Sequence, residues 1–471
     1  MKSIASDIIH GRMPDFNLWL REGNTLDDID EFGFTPLIES VLMRRPEITA
    51  ALLERGVAIN KPDVTGRTAL HWAVDNNDLK TCRLLLKSGA NPNASTYAGM
   101  SVLVYPILRG QTAIKQLLYQ HGARLDFAMD FINAKLLGHR FELEGDVDIV
   151  NADGEFVEVD YEGFILEFTV EIIHDSLRRF ASSYATRHLR DFFPSVHAVM
   201  DGFSLAASLL KLQHLPERRP EHRRQLKMFL EAPLLVLPAA SRGHAMGFVR
   251  MGSWWAKIDR GENSLLEGSV NIYRITRESQ LTVEFLETFL FKKQPRRFFH
   301  ERINQILGLQ KVATLPIPSQ ITGNCSWANM RAVFPTALAM QNLQAGESVN
   351  TAQVLELDVA WEAWDCDRAL DECIQRFYHA TPARKASLAT MLGAVLFQSC
   401  NSANPHHLER AEKILAILQL PEYAFVLNSY LEAYCIRRLS KKGNNLLQLL
   451  EACGINPGIV VQPVATRLKE R

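Results

Sequence analysis

Residues 66–93 read GRTALHWAVDNNDLKTCRLLLKSGANPN, and this stretch decides how the first quarter of the chain folds. Its features recur every 33 residues. Gly33, Gly66 and Gly99 form one series, Thr35, Thr68 and Ser101 a second, and Leu37, Leu70 and Leu103 a third. A further glycine series runs through Gly23, Gly56, Gly89 and Gly122. The Thr/Ser hydroxyl is placed to cap a first helix. The glycine after LLERG, LLLKSG and LLYQHG supplies the left-handed residue that ends a second one. Leu70, Ala73 and Leu84–Leu86 then make faces that no single unit can bury alone but a stack can.

The segments TPL (35–37) and TALHWA (68–73) closely resemble the ankyrin repeat. Four repeats are expected within residues 1–126, the first of them degenerate. The resemblance implies a protein-binding solenoid with no enzymatic role of its own. His71 and Trp72 are candidate protein-binding residues, although the histidine of this motif more commonly makes a structural hydrogen bond. Asn60 and Asn93 close GVAIN and GANPN, each eight residues after a leucine (Leu52, Leu85). That context resembles the sites of asparaginyl hydroxylases, so both are candidates for hydroxylation. The plainer reading is a turn asparagine using its side chain as a hydrogen-bond partner.

Beyond Asp126 the period changes. FELEGDVDIVNADGEFVEVDYEGFILEF (141–168) alternates apolar and polar residues around an NADG turn, which predicts a hairpin. Two helical stretches follow, then PERRPEHRR (216–224). An antiparallel meander is expected from APLLVLPAA (232–240), GHAMGFVRM (243–251), SWWAKIDR (253–260) and SVNIYRIT (269–276). After Pro316 and Pro318, CSWANMRAVFPTALAMQNL predicts a helix that opens at Cys325. Residues 346–471 read as four or five amphipathic helices with a polar tail, ATRLKER.

The seven cysteines are Cys82, Cys325, Cys366, Cys373, Cys400, Cys435 and Cys453. They are scattered with no C-x-x-C pair, which speaks against a disulfide scaffold or a zinc site. Cys325 stands apart because a helix start lowers a thiol pKa. A thiolate needs a base, and the base needs an orienting group. His244 heads one strand and Asp259 lies near the end of the next, so adjacent antiparallel strands can bring the two together. Asn271 is the alternative third member. Gln320, five residues before Cys325, is a candidate oxyanion donor.

The order His, Asp, Gln, Cys resembles that of the circularly permuted papain-like cysteine proteases, and C-S-W resembles the cysteine helix of papain. The usual spacing of that class is six residues before D-C-G; here it is five before N-C-S-W. The implied activity is a thiol hydrolase or isopeptidase, with a thiol acyltransferase or a site without turnover as alternatives.

The resulting fold class is multi-domain α+β. It comprises an ankyrin solenoid (1–126), a permuted papain-like domain (127–345) and a C-terminal all-α domain (346–471). This combination, with the GNCSWAN and LLGHRFELEG elements, resembles the Legionella type IV-secreted (Dot/Icm) ankyrin-repeat effectors. That resemblance implies a virulence protein delivered into the host cytoplasm or nucleus, where it docks a host protein through its repeats. Docking without catalysis is the alternative.

Composition narrows the remaining classes. With 52 Lys+Arg against 53 Asp+Glu the net charge is −1, so a general nucleic-acid-coating protein is not expected. The basic runs RRPEHRR, KKQPRRFFHER and RRLSKK are read as solvated faces and linkers, and nucleic acid is not expected as a direct ligand. The longest apolar run, Ala232–Ala240, is broken by two prolines and far short of the roughly 20 residues of a membrane span. The N-terminus MKSIASDIIHGRMPDF lacks the apolar core of a secretory signal. No motif calls for a cofactor or metal, and a monomer is expected.

Overall fold

A computed structural model describes residues 4–456 other than 152, 164–165, 214–219, 242, 262–263 and 321–322. The polar tail and residues 216–219 of PERRPEHRR lie outside the described residues. The chain divides into two compact units. One comprises Met1–Leu136, Asp146–Asp160 and Cys373–Arg471; the other comprises Leu137–Gly145 and Tyr161–Glu372.

The first unit opens with four helix pairs: Ile4–Ile9 with Phe16–Arg21, Pro36–Leu42 with Pro46–Glu54, Ala69–Asp75 with Leu79–Lys87, and Val104–Leu108 with Thr112–Gln120. The expected caps are present in the middle repeats. The Thr35 hydroxyl accepts from the Ile38 N–H at 3.2 Å. The glycines at the second-helix ends are left-handed, with φ of 72°, 95° and 89° at Gly56, Gly89 and Gly122. At Gly66 the backbone of the next repeat passes so close that a Cβ would lie 2.4 Å from the Tyr97 nitrogen. The fourth repeat departs from the pattern. Its first helix starts only at Val104, and Ser101 lies in an isolated bridge with Ser95.

The predicted hairpin forms from β1 (Asp146–Val150) and β2 (Phe156–Asp160), paired antiparallel from Asp146↔Asp160 to Val150↔Phe156. Val159 and Val157 of β2 pack against Gly99 of the last repeat. The closing helices of the chain belong to this unit as well. Ser387, in helix Pro382–Ser399, accepts the Val150 N–H at 2.8 Å, and Arg384 pairs with the buried Asp130 at 3.0 Å.

The compact units therefore cut across the boundaries read from sequence at 126/127 and 345/346. Helix Thr351–His379 passes from one unit to the other at Glu372. Its first half buries Val354, Leu357 and Trp361 in the core of the second unit. Beyond the division, Phe377 packs edge-on against Tyr423 at 4.9 Å in the first. Amphipathic periodicity marks such a helix but does not say which core each half enters.

The second unit is built on five antiparallel strands in sequential order: β3 (Leu234–Ser241), β4 (His244–Met251), β5 (Trp254–Ile258), β6 (Val270–Arg274) and β7 (Gln310–Leu315). The first four are the expected meander; β7 was not anticipated. Alternate residues feed two separate cores. Val236, Val249, Ala256, Ile258 and Ile272 pack with Trp327, Phe334 and Trp361. Leu235, Leu237, Met246, Phe248 and Trp255 pack with Phe285, Phe289 and Phe299.

Over Tyr184–Leu212 the helical run is long and apolar enough, by length and composition, to cross a membrane. Its packing gives the reason for that apolarity. Val196, Val199, Phe203 and Leu210 enter the first core while Leu209 enters the second, so two faces of the helix are buried.

Candidate active site

His244 and Asp259 meet because of strand register. Gly247 pairs with Ile258 across β4 and β5, and the sheet alternation puts His244 and Asp259 on the face that carries Met246 and Trp255. Extending the register past Ile258 makes the two side chains diagonal neighbours, within reach of a long side chain. His244 Nε2 and Asp259 Oδ1 are 2.8 Å apart. The same register sets Gly261 opposite His244. Its N–H donates to Asp259 Oδ1 at 3.1 Å, and a Cβ there would lie 2.8 Å from His244 Cε1.

Cys325 opens helix Cys325–Arg331, which Ala332 separates from Val333–Gln344, so the single expected helix is two. The Ala245 N–H donates to Cys325 Sγ at 3.3 Å, and the thiol also interacts with the His244 side chain. Since Nε2 is engaged by Asp259, the ring nitrogen left for sulfur is Nδ1.

Asn329, one turn along the cysteine helix, was not singled out by sequence reading. It is fully buried and bonds to β4 and to the segment just after β5. Its Nδ2 donates to the Ala245 carbonyl at 2.8 Å, and its Oδ1 accepts from the Arg260 N–H at 2.7 Å. This amide ties the residue after His244 and the residue after Asp259 to the helix that carries Cys325. The only sequence signal was a polar residue in a helix that is otherwise mostly apolar.

The LLGHRFELEG stretch supports the same helix. His139 stacks on Trp327, with centroids 6.4 Å apart, and the Arg140 guanidinium lies over that ring at 5.4 Å. Glu142 pairs with the buried Arg260 at 3.3 Å.

The electrostatics follow from these contacts. Asp259 raises the His244 pKa to about 9, helped by Cys325 and opposed by burial. Burial resists ionisation of Cys325, but His244 and the Ala245 and Ser326 N–H groups outweigh it and hold the thiol below its ordinary value. Burial likewise works against Asp259, and the bond to His244 overcomes it to keep the carboxyl below the usual range. The other thiols with a resolved shift move the opposite way. Burial pushes Cys82, Cys373 and Cys400 up to about 12 and raises Cys435 and Cys453.

Asn271 is fully buried but turned elsewhere: its Nδ2 donates to the Gly268 carbonyl at 3.0 Å and its Oδ1 accepts from Thr314 at 3.1 Å. Of the two alternatives for the third position, Asp259 is the one in contact with His244. The Gln320 N–H donates to the Arg260 carbonyl at 2.8 Å, and its side-chain Oε1 is buried without a hydrogen-bond partner among the described residues. The same holds for both amide atoms of Asn324, directly before Cys325.

In the repeats, His71 is 4% exposed. Its Nδ1 closes a capping box with Thr68, accepting the Thr68 N–H at 3.1 Å, and burial pushes its pKa down to about 4. Burial and the cap occupy this ring, in keeping with the structural hydrogen bond that the histidine of this motif more commonly makes. The Trp72 indole N–H donates to Asp63 at 2.9 Å, and its ring lies under Arg67 at 4.7 Å. Asn60 and Asn93 act as staples between successive repeats. Asn60 bonds to the Gly89 carbonyl and the Asn91 N–H, and Asn93 to the Gly122 carbonyl and the Arg124 N–H.

The comparisons with known proteins agree with this architecture. The family model for ankyrin repeats, in three copies, matches residues 5–96 and 65–129. Among curated proteins, human ankyrin repeat domain-containing protein 63 is 34% identical over 107 residues, which are 22% of this chain and 28% of that protein. The mouse B-cell lymphoma 3 protein homolog is 40% identical over 92 residues, 19% of this chain and 20% of that protein. The chain thus spans about a quarter of the length of these curated relatives. The solved structure of Legionella effector AnkH is 64% identical, covers 97% of this chain and 98% of its own, and superposes with a TM-score of 0.79. A likeness of that identity over nearly the whole length is a family relationship, and the chain belongs to the family of Legionella effector AnkH.

Proposed function

We propose that the protein is an effector that docks a host protein through its ankyrin repeats and carries a cysteine hydrolase site, acting on a peptide or isopeptide bond. The observation that carries the catalytic reading is His244 held between Asp259, at 2.8 Å, and the Cys325 thiol. The host-directed part rests on kinship with a Legionella effector and on the binding role common to ankyrin stacks.

In the proposed reaction the Cys325 thiolate attacks the substrate carbonyl carbon. A C–S bond forms and the carbonyl electron pair becomes an oxyanion. The side-chain amide of Gln320 is the proposed donor to that oxyanion. The imidazolium of His244 gives its Nδ1 proton to the departing amine as the C–N bond breaks, which leaves a thioester. Water then adds to the thioester with His244 taking its proton, and collapse releases the carboxylate and the thiol. Asp259 stays anionic throughout and fixes the imidazole.

An electrophilic probe that mimics a peptide or ubiquitin-like C-terminus tests the reading. Labelling confined to Cys325 and abolished by His244→Ala supports it; labelling indifferent to His244→Ala overturns it. A Cys325→Ala protein that keeps its full effect on host cells, while substitutions in the repeats remove it, would establish docking alone as the function. A stable acyl group on Cys325 after incubation with an acyl-CoA would reassign the chemistry to acyl transfer.

A further inference from the structure

Asp259 has a second neighbour that the dyad does not use. Its Oδ1 is engaged by His244 and Gly261, while its Oδ2 is a buried atom without a hydrogen-bond partner among the described residues. Facing that oxygen at 3.6 Å is Nε2 of His300, also buried and unpartnered. The other ring nitrogen, Nδ1, lies 3.5 Å from Lys257 Nζ, and Lys257 in turn pairs with Glu267 at 2.6 Å. Both side chains are nearly closed off from solvent, His300 at 11% and Lys257 at 4%.

The chemistry of these groups orders the chain. A lysine ammonium only donates, so the His300 Nδ1 facing it must present a lone pair. In the neutral ring the proton then sits on Nε2, aimed at the free oxygen of Asp259. Burial, reinforced by Lys257 and Arg296, lowers the His300 pKa and so favours the neutral ring, with Asp259 and Glu267 acting against them. His300 lies on a π-helical turn, Phe298–Arg302, whose Phe298 and Phe299 are anchored in the core. Such turns are frequent at functional sites.

We propose that His300 is a positioning residue of the thiol site. Relayed from Glu267 and Lys257, its Nε2–H dipole faces the second oxygen of Asp259 from 3.6 Å and favours the carboxylate by charge–dipole attraction, so that the first oxygen stays aimed at His244. This inference rests on the Cys325–His244–Asp259 reading.

The test follows the rate of Cys325 alkylation by iodoacetamide from about pH 5 to pH 9, which requires no substrate. The groups that set this profile are His244 and Asp259 around the thiol, and Lys257, Glu267, Arg296 and Asp259 around His300. His300→Leu is expected to slow alkylation near neutrality about tenfold and to move the acid limb to higher pH. His300→Gln keeps an acceptor for Lys257 and a donor for Asp259, and is expected to stay within about twofold of the wild type. A folded His300→Leu protein with the wild-type profile, alongside a His244→Ala protein that has lost fast alkylation, overturns the inference and leaves the dyad standing. If His244→Ala also alkylates like the wild type, the dyad reading fails and this inference fails with it. Should His300→Leu not fold, imidazole nitrogen NMR on the wild-type chain decides. An Nε2–H tautomer at His300 supports the relay, and an Nδ1–H tautomer or a doubly protonated ring overturns it.

Discussion

Asn329 donates its side-chain amide to the carbonyl of Ala245 at 2.8 Å, and so fixes the helix that Cys325 opens against the strand that His244 heads. With its oxygen on the Arg260 N–H, one buried amide sets the spacing of the thiol from both other members of the site. Neither hydrogen bond touches the Cys325 sulfur or the His244 ring; both hold backbone next to the residues that carry them.

Asn329→Ala is therefore expected to strand a buried carbonyl and a buried N–H, at a cost of about 2–4 kcal/mol in global stability. In molecules that remain folded, Cys325 should lose much of its low-pKa reactivity. Urea denaturation together with the alkylation rate at neutral pH measures both effects. A stable variant with unchanged reactivity would contradict this role for the amide.

Gly261→Ala probes the other side of the imidazole. A methyl group there meets His244 Cε1 at 2.8 Å and Asp259 Oδ1 at 3.1 Å, so the ring must turn away from one of its partners. The expected outcome is at least a roughly tenfold loss of Cys325 reactivity with a small change in stability, about 1 kcal/mol. Thiol reactivity and a melting curve on the same sample separate the two.

Thiol selectivity is a third expectation. Cys325 is held below its ordinary pKa, whereas burial pushes Cys82, Cys373 and Cys400 up to about 12. Brief alkylation of the native protein at neutral pH, read by peptide mass spectrometry, should modify Cys325 first. Unfolding in denaturant should erase the preference. Faster modification at any of those three buried thiols in the native state would count against the assignment.

The repeat stack carries its own pH signature through His71. Its pKa falls from 6.5 to about 4 because the ring is buried neutral. The unfolded chain then binds the proton more readily than the folded one. Stability is complete above about pH 6.5 and is lost as pH falls toward about 4, by up to about 3 kcal/mol. Chemical denaturation at several pH values, compared with His71→Gln, should show a flatter acid dependence in the variant. Equal slopes would place the acid sensitivity elsewhere.

How legible these features were depends on the range of the interactions behind them. The 33-residue repeat was legible because each unit recurs with the same cap, turn and packing residues, all local in sequence. Thr35 and Gly89 adopt the conformations that their spacing required. Cys325 was legible for a similar reason, since a turn followed by a helix start is a local signal. For His71 the plainer of the two readings, a structural hydrogen bond, matches the cap that it makes with Thr68.

The residues that complete the site were not legible in this way. Asn329, Gly261 and His300 matter through contacts made across sheet register, or between a helix and a strand end, and no short-range pattern marks them. The choice between Asp259 and Asn271 was of this kind too. Both lie on the same face of the sheet, and only packing shows that Asn271 turns to Gly268 and Thr314.

The sequence by itself determined the repeat architecture, the hairpin, the four-strand meander and the thiol at a helix start, because periodicity, capping and turn chemistry act over a few residues. Tertiary structure alone decided which carboxylate meets His244 and which buried amide holds the cysteine helix. It also decided where the compact units divide. Those outcomes depend on strand register and core packing between residues far apart in the chain, and a one-residue slip between β4 and β5 would have put His244 and Asp259 on opposite faces of the sheet.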